Sequence, residues 1–237
     1  MNNCNFLHNI GSFFIKCLQT HSRSNEKLKI LHSSIAKDIS EKLGDEYIIK
    51  SLGLGEGREG KLKGRYFEKT VDILISKDDE ALAGVGVKFV MNNYAQNSNN
   101  YFENMLGETA NIRCNGKAYF QIIIIPDEMP YYKQKGEISK WETITKHNID
   151  KYIALSKDDT GRFLHTPLKT LLYIIKLPIC DKALIKTKKA YNNYYIKLKK
   201  NIVVIESDNI AGDFGNEIIL NDYEKFIEKI VYYIKSM

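Results

Sequence analysis

At 237 residues, 43% hydrophobic and 27% charged, the chain has the composition of an ordinary globular protein, which argues against both disorder and a membrane protein. It is long enough for one large domain with a sizeable core, and a formal net charge of +6 with a pI near 8.9 leans toward an anionic partner. Cys4, Cys17, Cys114 and Cys180 are scattered without metal-ligand spacing and read as free thiols in a reducing compartment. With no run of about 18 uninterrupted apolar residues, the expected location is the cytoplasm.

The first stretch, NFLHNIGSFFIKCL, lacks a basic leader region and a small-residue cleavage site, so it is expected as an amphipathic helix and not as a signal sequence. From Asn25 to Leu43, Leu28, Leu31, Ile35, Ile39 and Leu43 recur at helical spacing, and Gly44 is a stop signal. His32 lies beside that stripe and is expected to be a structural histidine. Five glycines then crowd between Gly53 and Gly64 without a nucleotide-cradle pattern. The interleaved Arg58, Lys61, Lys63 and Arg65 predict a flexible basic loop able to follow a phosphodiester backbone, the competing expectation being a solvated loop.

The stretch from Val71 to Lys88 reads as two strands and a turn. Val71, Ile73 and Ile75 alternate with Asp72 and Leu74; the polar cluster 76–80 turns the chain; and Ala81 to Val90 returns as a strand thinned by Gly84 and Gly86. Folded about Asp78 and Asp79, the hairpin lays Asp72 opposite 84–86 and brings Lys88 up one strand away. A lysine buried in an apolar strand needs a carboxylate partner or a charged ligand, the competing reading being a surface salt bridge between the acid and the lysine. One use of an Asp beside a Lys is phosphate chemistry, in which the carboxylate holds Mg2+ and the lysine orients the attacking water. Glu68, four residues before Asp72, is a candidate accessory carboxylate if the strand extends that far.

With these residues the hairpin resembles the core of the PD-(D/E)xK nuclease superfamily, which includes many type II restriction endonucleases. The family's second acidic position falls on Gly86, in Gly86-Val87-Lys88. Two explanations stay open: the carboxylate has moved to the following helix, as in some restriction endonucleases, or the copy is inactive. The resemblance, carried mainly by residues 65–125, implies an α/β fold with a mixed central sheet flanked by helices. It also implies Mg2+-dependent, sequence-specific hydrolysis of double-stranded DNA by a homodimer. The alternatives are an inactive DNA-binding protein on a nuclease fold and a structure-specific repair or junction nuclease.

In the helix expected after Asn97 or Ser98, Phe102, Met105, Leu106 and Ile112 form one stripe, and Glu103 and Glu108 flank it on opposite sides, so one of them at most faces the metal. Glu103 is favoured by its distance from Lys88, and Glu108 by its context, with Arg113 then near phosphate. Ala118 to Ile125 reads as a central strand covered on both faces. Residues 140–176 are expected to be mostly helical, with a second helix starting at Thr166 and Pro167. Between Asp181 and Lys200, seven lysines and three tyrosines are interleaved with Asn192 and Asn193. There Lys188, Lys189, Lys197 and Lys199 are expected to contact phosphates, and the asparagines and tyrosines to reach bases or sugars; a solvated basic face is the competing reading. A strand at 202–205 and a closing helix from about Asn221 complete the chain. The whole is expected as a single endonuclease domain, with 25–125 as catalytic core and 140–200 as a helical, basic DNA-contacting region.

Overall fold

The computed structural model describes residues 1–21, 24–55, 57–178, 180–198 and 202–237. The elements run α1 (Asn3–Gln19), α2 (Glu26–Leu43), β1 (Tyr47–Ser51), β2 (Gly60–Lys63), β3 (Glu68–Val71), β4 (Ile73–Lys77), β5 (Glu80–Phe89) and α3 (Tyr94–Arg113). They continue with β6 (Ala118–Pro126), β7 (Glu128–Tyr132), β8 (Ile138–Thr143), α4 (Lys146–Ser156), β9 (Thr170–Lys176), α5 (Lys188–Leu198), β10 (Ile205–Glu206), β11 (Ile218–Leu220) and α6 (Tyr223–Lys235).

This is an α/β fold on a mixed central sheet in the order β1-β4-β5-β6-β9-β10, with β11 also paired to β9. The β1–β4, β4–β5 and β9–β10 pairs are antiparallel, and β5–β6, β6–β9 and β9–β11 are parallel. Strand alternation sorts the core into two layers. Ile122, Ile124, Leu171 and Tyr173 pack with Leu31 and Ile35 of α2 and with Phe226 and Ile230 of α6. Ile123, Ile125, Leu172 and Ile174 face the other way, against Met105 of α3 and Ile149 and Tyr152 of α4. Covered on both faces, β6 is buried at every position, which its unbroken apolar run requires.

The β4–β5 hairpin turns on Asp78 and Asp79, both with positive φ (50° and 61°), as a tight two-residue turn requires, and it pairs Lys77 with Glu80. Three expectations need correction. The second helix placed across 166–176 is the strand β9; a seven-residue apolar run cannot be assigned by periodicity alone, and TLLYIIK has the length of a strand. Trp141 likewise lies on β8, paired with β7, so the 140–200 region carries parts of two strands, β8 and β9, beside the helices α4 and α5. The basic glycine-rich stretch is not a flexible loop throughout, because Gly60–Lys63 pairs with Glu68–Val71 in a second hairpin. That hairpin breaks from β4 at Asp72, so Glu68 does not share a strand face with Asp72 and instead pairs with Lys61 at 2.9 Å.

Candidate active site

Asp72 stands between β3 and β4, opposite Gly86 near the carboxyl end of β5 and level with Gln121 within β6. The register Ile73–Val85 carries Asp72 opposite Gly86, and its Oδ2 accepts a 2.7 Å hydrogen bond from the Val87 N–H. Ser51 Oγ donates to the Asp72 carbonyl at 2.8 Å, so β1 fixes the bend from the other side. A cleft of about 270 Å³ opens here, with Asp72, Gly86, Lys88, Glu108, Tyr119 and Gln121 among its walls.

Burial lifts the Asp72 carboxyl from 3.8 to about 6; the Val87 N–H and the Lys69 and Lys88 charges hold it down, and Glu108 pushes it further up. Lys88 lies 4.2 Å from the Tyr101 ring centroid. Its ammonium is pulled below the ordinary lysine range by burial, against the Glu108 and Asp72 carboxylates, which raise it. Glu108 enters from α3, pairs with Lys69 Nζ at 2.5 Å and accepts from Tyr119 Oη at 3.4 Å. Two acids and two lysines therefore share one cleft, Asp72 from the break between β3 and β4, Lys69 from β3, Lys88 from β5 and Glu108 from α3.

Of the two helix glutamates, α3 turns Glu108 into this cleft and leaves Glu103 exposed outside it, beside Lys151. The missing acid at 86 has a steric counterpart. A Cβ there would stand 2.4 Å from Tyr119 Oη and 2.7 Å from Gln121 Oε1, both on buried residues, and Gln121 Nε2 donates to the Gly86 carbonyl at 3.1 Å. The space an acidic side chain would take is occupied.

Two residues that the sequence reading did not bring to the site stand beside Asp72. His32 projects from α2, 2% exposed, with Nδ1 3.7 Å from Asp72 Oδ1. That nitrogen has no hydrogen-bond partner among the described residues, and burial holds the imidazole down to about 4. Glu59, just before β2, completes a group whose ligand atoms lie within 4.8 Å of one another. Burial and the Asp72 charge raise its carboxyl above the usual range. The carboxylates of Asp72, Glu59 and Glu108 suit a hard ion such as Mg2+, whereas an imidazole nitrogen suits the transition metals. No sequence signal tied Glu59 to Asp72; His32 was visible only as a histidine on an apolar helix face.

A second cleft of about 370 Å³ opens on the α2 side of β5 and joins His32 and Lys88 to Lys188 and Asn192 of α5. Lys189, Asn193 and Lys197 are exposed on that helix, and Lys199 lies outside the described residues. Tyr191 and Tyr195 are not available to bases; at 2% and 3% exposure they pack around Phe14. Arg58 is exposed on the glycine-rich segment, and Lys61 is the cation paired with Glu68. Arg113 is held away from the cleft, its guanidinium donating to the carbonyls of Thr160 and Thr166 (both 2.7 Å) and Phe163 (3.2 Å), where it fastens the segment before β9. Among the described residues no helix is long and apolar enough to cross a membrane.

Comparison of the chain with protein-family models, curated proteins and solved structures returned no match.

Proposed function

We propose that the protein is a divalent-metal-dependent endonuclease of the type II restriction kind, hydrolysing phosphodiester bonds in double-stranded DNA. The observation that carries this reading is the convergence of Asp72, Lys88 and Glu108 on one cleft between α3 and the β5–β6 pair. Asp72 is the anchoring metal ligand, with Mg2+ the ion the family resemblance implies. Glu108 is the second carboxylate, delivered from α3 because Tyr119 and Gln121 fill the place beside Gly86. A bound ion supplies charge neutralisation at the scissile phosphate and a water of lowered pKa. Lys88, exposed on β5 and lining the cleft, would orient an attacking water and a phosphate oxygen; the water would add to phosphorus as its proton passes to solvent, and the bridging 3′ oxygen would leave and take up a proton. Tyr119 Oη and Gln121 Oε1, standing where a side chain at 86 would begin, support relocation of the carboxylate over its loss.

The lysines of α5 and Arg58 supply the phosphate contacts of the duplex, and two copies of the chain would cut the two strands of a palindromic site. The test is nicking and linearisation of supercoiled plasmid by the wild type and by Asp72→Asn, Lys88→Ala and Glu108→Gln, in Mg2+ and in Mn2+. Each variant is expected to lose at least about a hundredfold in rate, the loss of a transition-state charge contact being worth several kcal/mol. No cleavage by the wild type in either ion, or undiminished cleavage by Asp72→Asn, would end the proposal.

A further inference from the structure

We infer that His32, Glu59 and Asp72 form a mixed nitrogen–oxygen site that takes a first-row divalent transition ion of the Mn2+ class in preference to Mg2+. The inference rests on the proposed reading of Asp72 as a metal ligand and extends it to the identity of the ion.

The case begins with the cost of His32. A ring nitrogen in a 2% exposed side chain with no partner among the described residues forfeits a hydrogen bond it would make in water. Such a group is retained where something absent from the protein satisfies it. What faces Nδ1 is Asp72 Oδ1 at 3.7 Å, too long for a hydrogen bond. Two donors each about 2.1 Å from one ion stand about 3.0 Å apart at a right angle and about 3.4 Å apart at a tetrahedral angle. A small closure therefore converts the observed gap into a ligand pair. Glu59 adds a third donor, within 4.8 Å of both other ligand atoms.

The chain builds this cluster from three separate pieces. Leu31 and Ile35 of α2 are fully buried against the sheet and fix the helix that carries His32. Gly53, at φ +80°, lets the chain after β1 pass so close to α2 that an added Cβ would lie 3.1 Å from Lys29 Cβ, at the start of the segment that leads to Glu59. Asp72 has its Oδ2 tied to the Val87 N–H and its Oδ1 near His32. Mg2+ prefers oxygen donors in a near-ideal octahedron, whereas imidazole suits first-row transition ions, of which Mn2+ is the one that also suits a carboxylate-rich donor set. One nitrogen among three donors thus selects against the more abundant hard ion.

The probe is Mn2+ added to the metal-free full chain without DNA, with free ion counted by electron paramagnetic resonance and Mg2+ as competitor. The expected dissociation constant for Mn2+ is at least about tenfold below that for Mg2+, with a 14N coupling from His32 in the electron spin echo of the bound ion. His32→Ala should lose about 10–100-fold in Mn2+ affinity and bring the two ions level, while Glu59→Gln should weaken both together. A wild type that binds Mn2+ without 14N coupling, or with no preference over Mg2+, overturns the inference and leaves a structural His–Asp contact. So does a folded His32→Ala protein with the wild-type preference. Because the spin-echo signal is read on the wild type, a variant that fails to fold does not decide the matter. Mn2+ bound with these properties by a protein that cuts no plasmid would sustain this site and end the nuclease reading; cleavage without the preference would do the reverse.

Discussion

Replacing Gly86 by alanine tests whether the cleft is built around the absence of a side chain. The added methyl would lie 2.4 Å from Tyr119 Oη and 2.7 Å from Gln121 Oε1. Tyr119 cannot swing aside, being 2% exposed and packed among Leu62, Val71, Leu74 and Ile112. Overpacking a buried site costs about 1–3 kcal/mol, and the stiffer unfolded chain of a Gly→Ala variant returns about 0.4–1 kcal/mol. The net loss is then about 0–2.6 kcal/mol, and at roughly 2–4 °C per kcal/mol for a chain of this size the melting temperature should fall by up to about 10 °C. Tyr119→Phe removes the nearest atom and leaves Gln121 Oε1, the end of a flexible side chain, as the closest contact. In that background the alanine should cost about 1 kcal/mol less, a coupling within the usual range for touching residues. Urea titrations of the four proteins complete the cycle. A Gly86→Ala protein more stable than the wild type, or an equal cost in both backgrounds, would refute the argument. By the same packing, Gly86→Glu should be worse than alanine, because it adds a carboxylate beside Asp72 and Glu108, and it should not restore cleavage to Glu108→Gln.

Three further outcomes follow from particular contacts. In metal-free protein, burial holds His32 near 4 from an ordinary 6.5, so the unfolded chain binds the extra proton and stability rises with pH between about 4 and 6.5. Asp72, lifted from 3.8 to about 6, acts oppositely, since the folded state keeps its proton longer and stability falls as pH rises across about 4 to 6. The two contributions oppose each other in the wild type; Asp72→Asn should leave the rising profile and His32→Gln the falling one, and denaturant midpoints that run parallel in both variants would contradict this. Alanine at Lys188, Lys189 and Lys197 together should reduce the slope of log K for DNA against log salt by about 2.7, three phosphate contacts at about 0.9 each; an unchanged slope would make them a solvated face. Arg113→Ala should leave that slope alone and destabilise the fold by about 1.5–3 kcal/mol through its carbonyl bonds to 160–166, as read by thermal melting.

What could be read from the chain was what local pattern determines. The α2 stripe with its Gly44 stop, the Asp78–Asp79 turn and the β6 run each carry their own periodicity or punctuation, and each stands where that pattern puts it. The hairpin also fixed the placement of Asp72 opposite Gly86, because register follows once the turn is known. β9 was lost because a short apolar run has no period by which to tell a buried strand from a buried helix turn, and β11 because three residues are too few to show one.

The site was less legible than the fold for a related reason: its members meet through packing between distant segments, and no spacing rule links them. Glu108 and Glu103 looked equivalent on a helical wheel, and what separates them is that Met105 of α3 is buried against the sheet, which turns Glu108 toward Lys69 and Tyr119 and leaves Glu103 in solvent. Arg113 lost its expected place at phosphate to carbonyls about fifty residues further on, which no local motif announces. Glu59 stands in sequence among the basic residues of its stretch, and it is Gly53 that brings the start of that segment against α2. Gly86 is the reverse case. A single letter that breaks a family pattern reads as a loss in the sequence, yet the buried hydroxyl of Tyr119 and amide of Gln121 make it a requirement of the fold. Whether a departure from a motif is a defect or a substitution is therefore decided by what occupies the vacated volume, and here that volume is filled by groups hydrogen-bonded to Glu108 and to the Gly86 carbonyl themselves.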